Sequence, residues 1–166
     1  DGFQEIGNGS VTDQSIKSYE HWSKKYAAIG RSNEFIANID KVNFVTPGLK
    51  DRMLAEVRFL RAYHYAILID LFGDVPLIKQ PITADEGRTL TRNPKSEVLA
   101  FILEDLEFAA SKLPTVYSGS DYGRATKGAA LALKARVELY NGKFTEAAAD
   151  AKTVMDLNVY SLFPEY

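Results

Sequence analysis

Few residues in this chain could do chemistry. Its 166 residues contain two histidines and no cysteine, so thiolate catalysis, disulfides and cysteine-bound metals are excluded within it. His21 neighbours Trp22, and His64 lies inside the apolar segment that ends at Leu71. A histidine on an apolar helical stripe reads as a hydrogen-bonded core residue before it reads as a base. None of the patterns HExxH, GxSxG, GxGxxG or GxxxxGK[ST] occurs. Glu104, Asp105 and Glu107 form a local acidic cluster, but neighbouring acids on a helix point in different directions. The cluster therefore reads as a solvated face and not as a metal site. No catalytic residue, metal or cofactor is expected, and an enzyme is the least supported class.

Binding chemistry is better supplied. Nine tyrosines, nine phenylalanines and one tryptophan offer ring faces, against which the apolar face of a sugar can stack while polar neighbours serve its hydroxyls. Most of these rings sit at helical core spacing, Trp22 among them. The better ligand candidates lie in loop-like stretches with polar neighbours: Phe3, Gln4 and Asn8 near the start, and separately Tyr117 and Tyr122. Asn33 lies on an apolar stripe and is either a buried amide bonded to nearby backbone or a ligand contact.

The elements that must position these residues are helical. Residues 1–12 read as a loop, with Thr12 or Asp13 as a helix cap. Trp22, Tyr26, Ile29, Asn33, Ile36 and Asp40 then step by fours and threes, predicting a helix over about residues 14–44. Gly30 inside it would let a neighbouring helix come close. Pro47-Gly48 separates this helix from a central one, where Val57, Leu60, His64, Ile67 and Leu71 form one apolar strip. Phe59, Tyr63, Ala66 and Phe72 form a second. Gly73 is placed for a left-handed cap, and Pro76 forbids resumption of the helix. Charges from Lys50 to Arg61 read as a solvated face with i,i+4 pairs, or, for Glu56 or Arg61, as part of a buried pair.

The stretch 75–87 reads as extended, and 89–93 as turn-like. A further helix runs from Pro94-Lys-Ser-Glu to the stop at Pro114, with Val98, Leu99, Ile102, Leu106, Ala109 and Leu113 on its apolar face. A helical hairpin comes next, over 125–157, with Gly142 at its turn. Ala135, Val137, Gly142, Phe144 and Ala147 occupy positions where a tetratricopeptide repeat uses small residues, a glycine and one gap-filling aromatic. The expected fold is all-α: antiparallel helical hairpins stacked in a right-handed, repeat-like array with long irregular loops.

Composition agrees with a globular chain, at 46% hydrophobic and 25% charged residues. The net charge is −2 and the 20 basic residues are dispersed, which argues against a nucleic-acid surface. No apolar run approaches the length of a membrane span.

Ala55 to Ile78, reading AEVRFLRAYHYAILIDLFGDVPLI, resembles the signature of the SusD/RagB family of bacterial surface nutrient-binding lipoproteins. Gly123 to Ala151 resembles the family's next helical pair, and the Trp22/Tyr26/Asn33 helix precedes them in the family's order. The resemblance implies a glycan or other nutrient as ligand, no bond cleavage, and partnership with a SusC-like TonB-dependent transporter at the outer membrane. It also implies that residues 1–166 are one helical domain of a longer protein. The lipidated N-terminus, which alone would touch the membrane, and an irregular C-terminal part would lie elsewhere in that protein. In the family, part of the glycan site precedes the Trp/Tyr/Asn helix, corresponding here to residues 1–10. A free-standing helical adaptor binding a peptide in its groove is the alternative.

Overall fold

A computed structural model describes residues 2–162, with side chains from Gln4 onward. The described residues form seven α-helices: α1 (Gly2–Asn8), α2 (Ile16–Asn38), α3 (Leu49–Phe72), α4 (Ala84–Thr89), α5 (Lys95–Lys112), α6 (Lys127–Tyr140) and α7 (Phe144–Asp156). Among the described residues no strand forms; one isolated bridge joins Val75 and Asn93. Each long helix packs chiefly on the next, α2 on α3, α3 on α5, α5 on α6 and α6 on α7. That neighbour-to-neighbour order is the mark of a stacked repeat. No helix among the described residues is long and apolar enough to cross a membrane.

Two short helices depart from expectation. The expected opening loop is instead the short α1, and α2 starts after Ser15, whose Oγ accepts from the Thr12 N–H at 2.9 Å. The segment expected to be extended contains α4, because Thr83 and Glu86 form a reciprocal capping box. At Gly30 a Cβ would meet nothing within 4 Å, so no helix makes a close approach there.

The central helix is buried along its second expected strip, where Ala66 is in the core with Phe59 and Phe72 packed against it, and not along the first. Ala55, Arg61, Ala62, Tyr65, Ala66, Leu68 and Ile69 are buried, whereas Leu60 and Leu71 are 48% and 56% exposed. Alanines at 55, 62 and 66 let α2 and α5 come close, and Tyr65 fills the space between with Phe101 edge-on at 5.9 Å. A side chain as large as a fully buried leucine or isoleucine contributes about 1.5–3 kcal/mol, and Ile69, Leu68, Ile102 and Leu106 are all in that condition.

A charged knot lies within this core. Asp105, 0% exposed, receives Arg61 Nε at 2.8 Å and Nη2 at 3.0 Å, and Arg58 Nε at 2.6 Å. Arg61, 4% exposed, also donates to Asn33 Oδ1 at 2.7 Å. The acidic cluster is therefore not wholly a solvated face. Glu104 and Glu107 are exposed, but Asp105 points inward one residue along the helix. Arg61 belongs to a buried pair, with Asp105 and not with Glu56. Asn33 Nδ2 donates to the Ile78 carbonyl at 2.9 Å, which makes it the buried amide bonded to backbone.

The Gly-Asp-Val-Pro turn organises the segment between α3 and α5. Gly73 has φ 66°, as its position requires, although its ψ of −115° lies outside the left-handed helical region. Asp74 Oδ1 accepts from the Lys95 N–H at 2.7 Å and so caps α5. Val75 is buried, and the Pro76 carbonyl accepts from Tyr26 Oη at 2.8 Å. Tyr65 Oη donates to the Ile78 carbonyl and accepts from the Ile78 N–H, at 3.0 and 2.7 Å. Side chains of α2 and α3 thus serve segment 75–80 as a partner strand would. Burial pushes the Tyr65 phenol up to about 12. Arg92 donates to the Asp74 and Phe72 carbonyls at 2.7 and 3.3 Å, placing a cation at the C-terminus of α3 and over the Trp22 ring.

Candidate functional site

The connection between α5 and α6 carries a concave surface. Leu113 ends α5, Pro114 prevents its continuation, and the Lys127 N–H donates to the Pro114 carbonyl at 2.8 Å, closing the loop at its base. Thr126 caps α6 by accepting from the Ala129 N–H at 3.1 Å.

Five side chains then fix the loop to α3. Tyr117 Oη donates to Glu56 Oε1 at 3.0 Å, and Arg124 Nη1 donates to Glu56 Oε2 at 3.0 Å. Asp121 receives Arg52 Nη1 at 2.8 Å and Arg124 Nε at 2.7 Å, and the Arg52 guanidinium lies over the Tyr117 ring at 5.6 Å. Burial, then the bond to Glu56, push the Tyr117 phenol up to about 12, so it stays a donor at physiological pH. The bonds from Arg52 and Arg124 hold the Asp121 carboxyl below its ordinary value.

Tyr117 and Tyr122 line one cleft of about 640 Å³, with Val116, Arg124, Thr126, Val154 and Tyr160 among its other walls. Tyr122 is 85% exposed, with its ring free to solvent. Tyr160 crosses the start of α6 over Gly128, where a Cβ would run into its ring, and its hydroxyl is 3.0 Å from Thr126 Oγ1. A second cleft of about 700 Å³ lies on the far side of Val116 and Tyr117, against Arg52 and Lys112. The arrangement can stack a flat apolar face on a ring and offer hydroxyl and guanidinium donors beside it.

The candidates near the start are not brought to this cleft. Gln4 and Asn8 lie exposed on α1, which packs on α2, and neither lines either cleft. Asn8 Oδ1 accepts from the N–H and hydroxyl of Ser10 at 3.0 and 2.7 Å. The side chain of Phe3 lies outside the described residues. His64 differs from expectation: its Nδ1 is buried without a hydrogen-bond partner among the described residues, and burial, then nearby Lys25, lower its pKa. Among the described residues no group of three or more histidine or acidic side chains could hold a metal ion.

Sequence reasoning missed Arg52, Glu56, Asp121 and Arg124 as the frame of the loop, and Tyr160 as a wall. The available signal was the interleaving of Asp121 and Arg124 around Tyr122, opposite the i,i+4 pair Arg52–Glu56.

A family described as SusD-like, "Starch-binding associating with outer membrane", matches residues 3–139. The chain belongs to the SusD-like family. SusD-like protein P25 of Formosa agariphila is 26% identical over 96% of this chain and 31% of its own length. The crystal structure of a SusD-like carbohydrate-binding protein from Bacteroides fragilis superposes with a TM-score of 0.93 at 29% identity, over 100% of this chain and 32% of that one. A laminarin-binding SusD-like protein gives 0.87 at 32% identity, over 92% and 33%. The chain thus spans about a third of the length of these relatives. The family is described as starch-binding and associating with the outer membrane, and the two solved relatives are described as binding carbohydrate and laminarin.

Proposed function

We propose that this chain is the helical domain of a surface-exposed outer-membrane lipoprotein that captures a glycan and hands it to a SusC-like TonB-dependent transporter. The family match over residues 3–139 carries the reading. Because the chain spans about a third of its relatives' length, the activity is that of the whole protein, to which this domain contributes.

Within the domain, the Tyr117–Tyr122 cleft is the proposed sugar contact. Tyr122 supplies the exposed ring and Arg124 the neighbouring donors, while Tyr117 is fixed by Glu56 as a wall. Capture without bond cleavage fits the chemistry there. The nearest carboxylates, Glu56 and Asp121, are both engaged by arginines, which leaves neither poised as a general acid.

Calorimetric titration with laminarin and with maltooligosaccharides tests the site. Tyr122→Ala should weaken binding about tenfold, the scale of one lost ring contact. Unchanged affinity would remove the cleft from the binding surface, and parallel Gln4→Ala and Asn8→Ala variants decide whether α1 contributes. Purification of the native protein from solubilised outer membrane tests the partnership. A stoichiometric β-barrel partner supports it, and recovery of soluble partners alone retires it in favour of the adaptor reading.

A further inference from the structure

The seam between α6 and α7 holds a charged cluster that sugar binding does not use. Glu138 on α6 is 3% exposed, and its Oε2 has no hydrogen-bond donor among the described residues. Asp150 lies on α7, the helix packed against α6, and its Oδ2 is likewise buried without a hydrogen bond among the described residues. Lys134, one turn before Glu138, donates to Glu107 Oε2 of α5 at 2.6 Å and lies 3.1 Å from Asp150 Oδ2. Glu146 of α7 adds negative charge from one turn earlier and is paired with Lys143 at 3.3 Å. From the α3 side, Asp70 and Arg136 face a separate small cavity with Tyr63 and Tyr140.

Of the carboxylates of Glu107, Asp150 and Glu138, the first two share the Lys134 ammonium, and that of Glu138, one turn on along α6, keeps a buried oxygen without a donor among the described residues. Lys134 already stands between two of them, where a metal cation would have to sit. The remaining place for positive charge is on a carboxyl itself. A proton there converts a repelling pair of carboxylates into a donor and an acceptor, since a protonated carboxyl has an O–H to give.

We infer that Glu138 and Asp150 share a proton across the α6–α7 seam, which makes the docking of α7 depend on pH. Burial, then the bond to Asp150, push the Glu138 carboxyl up to about 7 from its ordinary 4.5. An acid raised in this way binds its proton more tightly in the folded chain than in the unfolded one. Its stabilisation is fully present below about 4.5 and is lost as pH rises through about 7. Helix α7 is the element that should respond, because only Ala147 of it is buried and α6 is its chief neighbour. The seam then closes in acid and loosens above neutrality.

A carboxyl-carbon NMR titration of the wild-type chain from pH 4 to 9 tests this directly. Glu138 should titrate near neutrality, and the amide protection of α7 should fall with the same midpoint, by up to about 100-fold after correction for intrinsic exchange. Glu138→Gln, whose amide N–H donates in place of the O–H of the protonated acid, should hold α7 at its acid-state protection across the whole range. Asp150→Asn should bring the Glu138 midpoint down towards the ordinary value. A wild-type Glu138 midpoint in the ordinary carboxylate range overturns the inference. So does α7 protection that tracks no titration, whatever the variants do.

Discussion

Two charged networks tie α3 to its neighbours, and they differ in their access to water. The inner one joins Arg58 and Arg61 of α3 to Asp105 of α5 and Asn33 of α2, with Asp105 and Arg61 shielded from solvent. The outer one joins Arg52 and Glu56 of α3 to Asp121, Arg124 and Tyr117 of the loop before α6, with Arg124 in the open. Both use arginine forks on carboxylates, of similar length. In the inner network each bond is made in a low dielectric, and each missing partner would leave a buried charge. In the outer network water and salt can replace any partner. The inner network fixes which helices meet and in what register. The outer one aims a loop on a frame that already stands.

Removing Asp105 should break the comparison most sharply. Asp105→Ala leaves the Arg61 guanidinium buried over the Phe101 ring, with Asn33 Oδ1 and, at 3.4 Å, the Lys79 carbonyl as its remaining acceptors among the described residues. A loss of about 3–5 kcal/mol is expected for a buried pair stripped of one member. Urea denaturation, read at constant m-value, measures it. A loss below about 1 kcal/mol would place the inner network in the same energetic class as an exposed pair. The double variant Arg61→Met, Asp105→Leu should recover most of the stability, because apolar replacements of a buried pair are often neutral.

Asn33→Ala should come next. It removes the acceptor for Arg61 Nη1 and the donor to the Ile78 carbonyl, while Tyr65 Oη keeps its own bond to that carbonyl. Unpartnering buried polar groups costs about 1–3 kcal/mol each, and thermal melting should show a loss in the lower part of that range. Amide exchange at Ile78 should rise, since segment 75–80 is held by side chains alone on that flank. An unchanged glycan affinity would confirm Asn33 as a structural amide. Lost affinity with unchanged melting would return it to the ligand.

These residues also show what could be read in the sequence. Although the short α1 and α4 depart from expectation, the five long helices, the α3 stop at Gly73 and the repeat-like hairpin come from local rules, periodicity and backbone restriction, which a single chain carries on its face. The side on which α3 is buried does not. Its apolar residues nearly encircle it, so periodicity offered two strips, one through Leu60 and Leu71 and one through Phe59, Ala66 and Phe72, and the core took the side of Ala66 and Tyr65. Small residues allow close packing, and hydrophobic spacing gives them little weight. Asp105 was hidden for a related reason: partners 44 and 47 residues away make it a core residue, and nothing within its own turn shows that. Tyr117 and Tyr122 could be singled out because ring-bearing residues beside glycine and small polar groups have no helical core to enter. The arginines that frame them belong to pairs closed only by the fold. Phe144, expected to fill the gap in its hairpin, is 66% exposed, because Ala147 rather than the ring is what α7 turns towards α6.

The smallest effect should come from the outer network, and it separates aiming from holding. Arg124→Ala removes one donor to Glu56 and one to Asp121, yet Tyr117 keeps its bond to Glu56 and Arg52 keeps Asp121. Melting should stay within error of the parent, because exposed pairs contribute little to stability and water takes up the freed carboxylate oxygens. The loop itself should loosen. Amide exchange over residues 117–123 should rise a few-fold in the variant, and 0.5 M salt should produce part of the same rise in the parent by screening the pairs. If glycan affinity falls with loop exchange while melting holds, Arg124 acts on binding by orienting Tyr122 or by meeting the sugar. Salt distinguishes the two, since a lost direct contact leaves the variant's affinity insensitive to it. A large fall in melting would instead make the outer network a second structural knot, and the contrast drawn from solvent access would not hold.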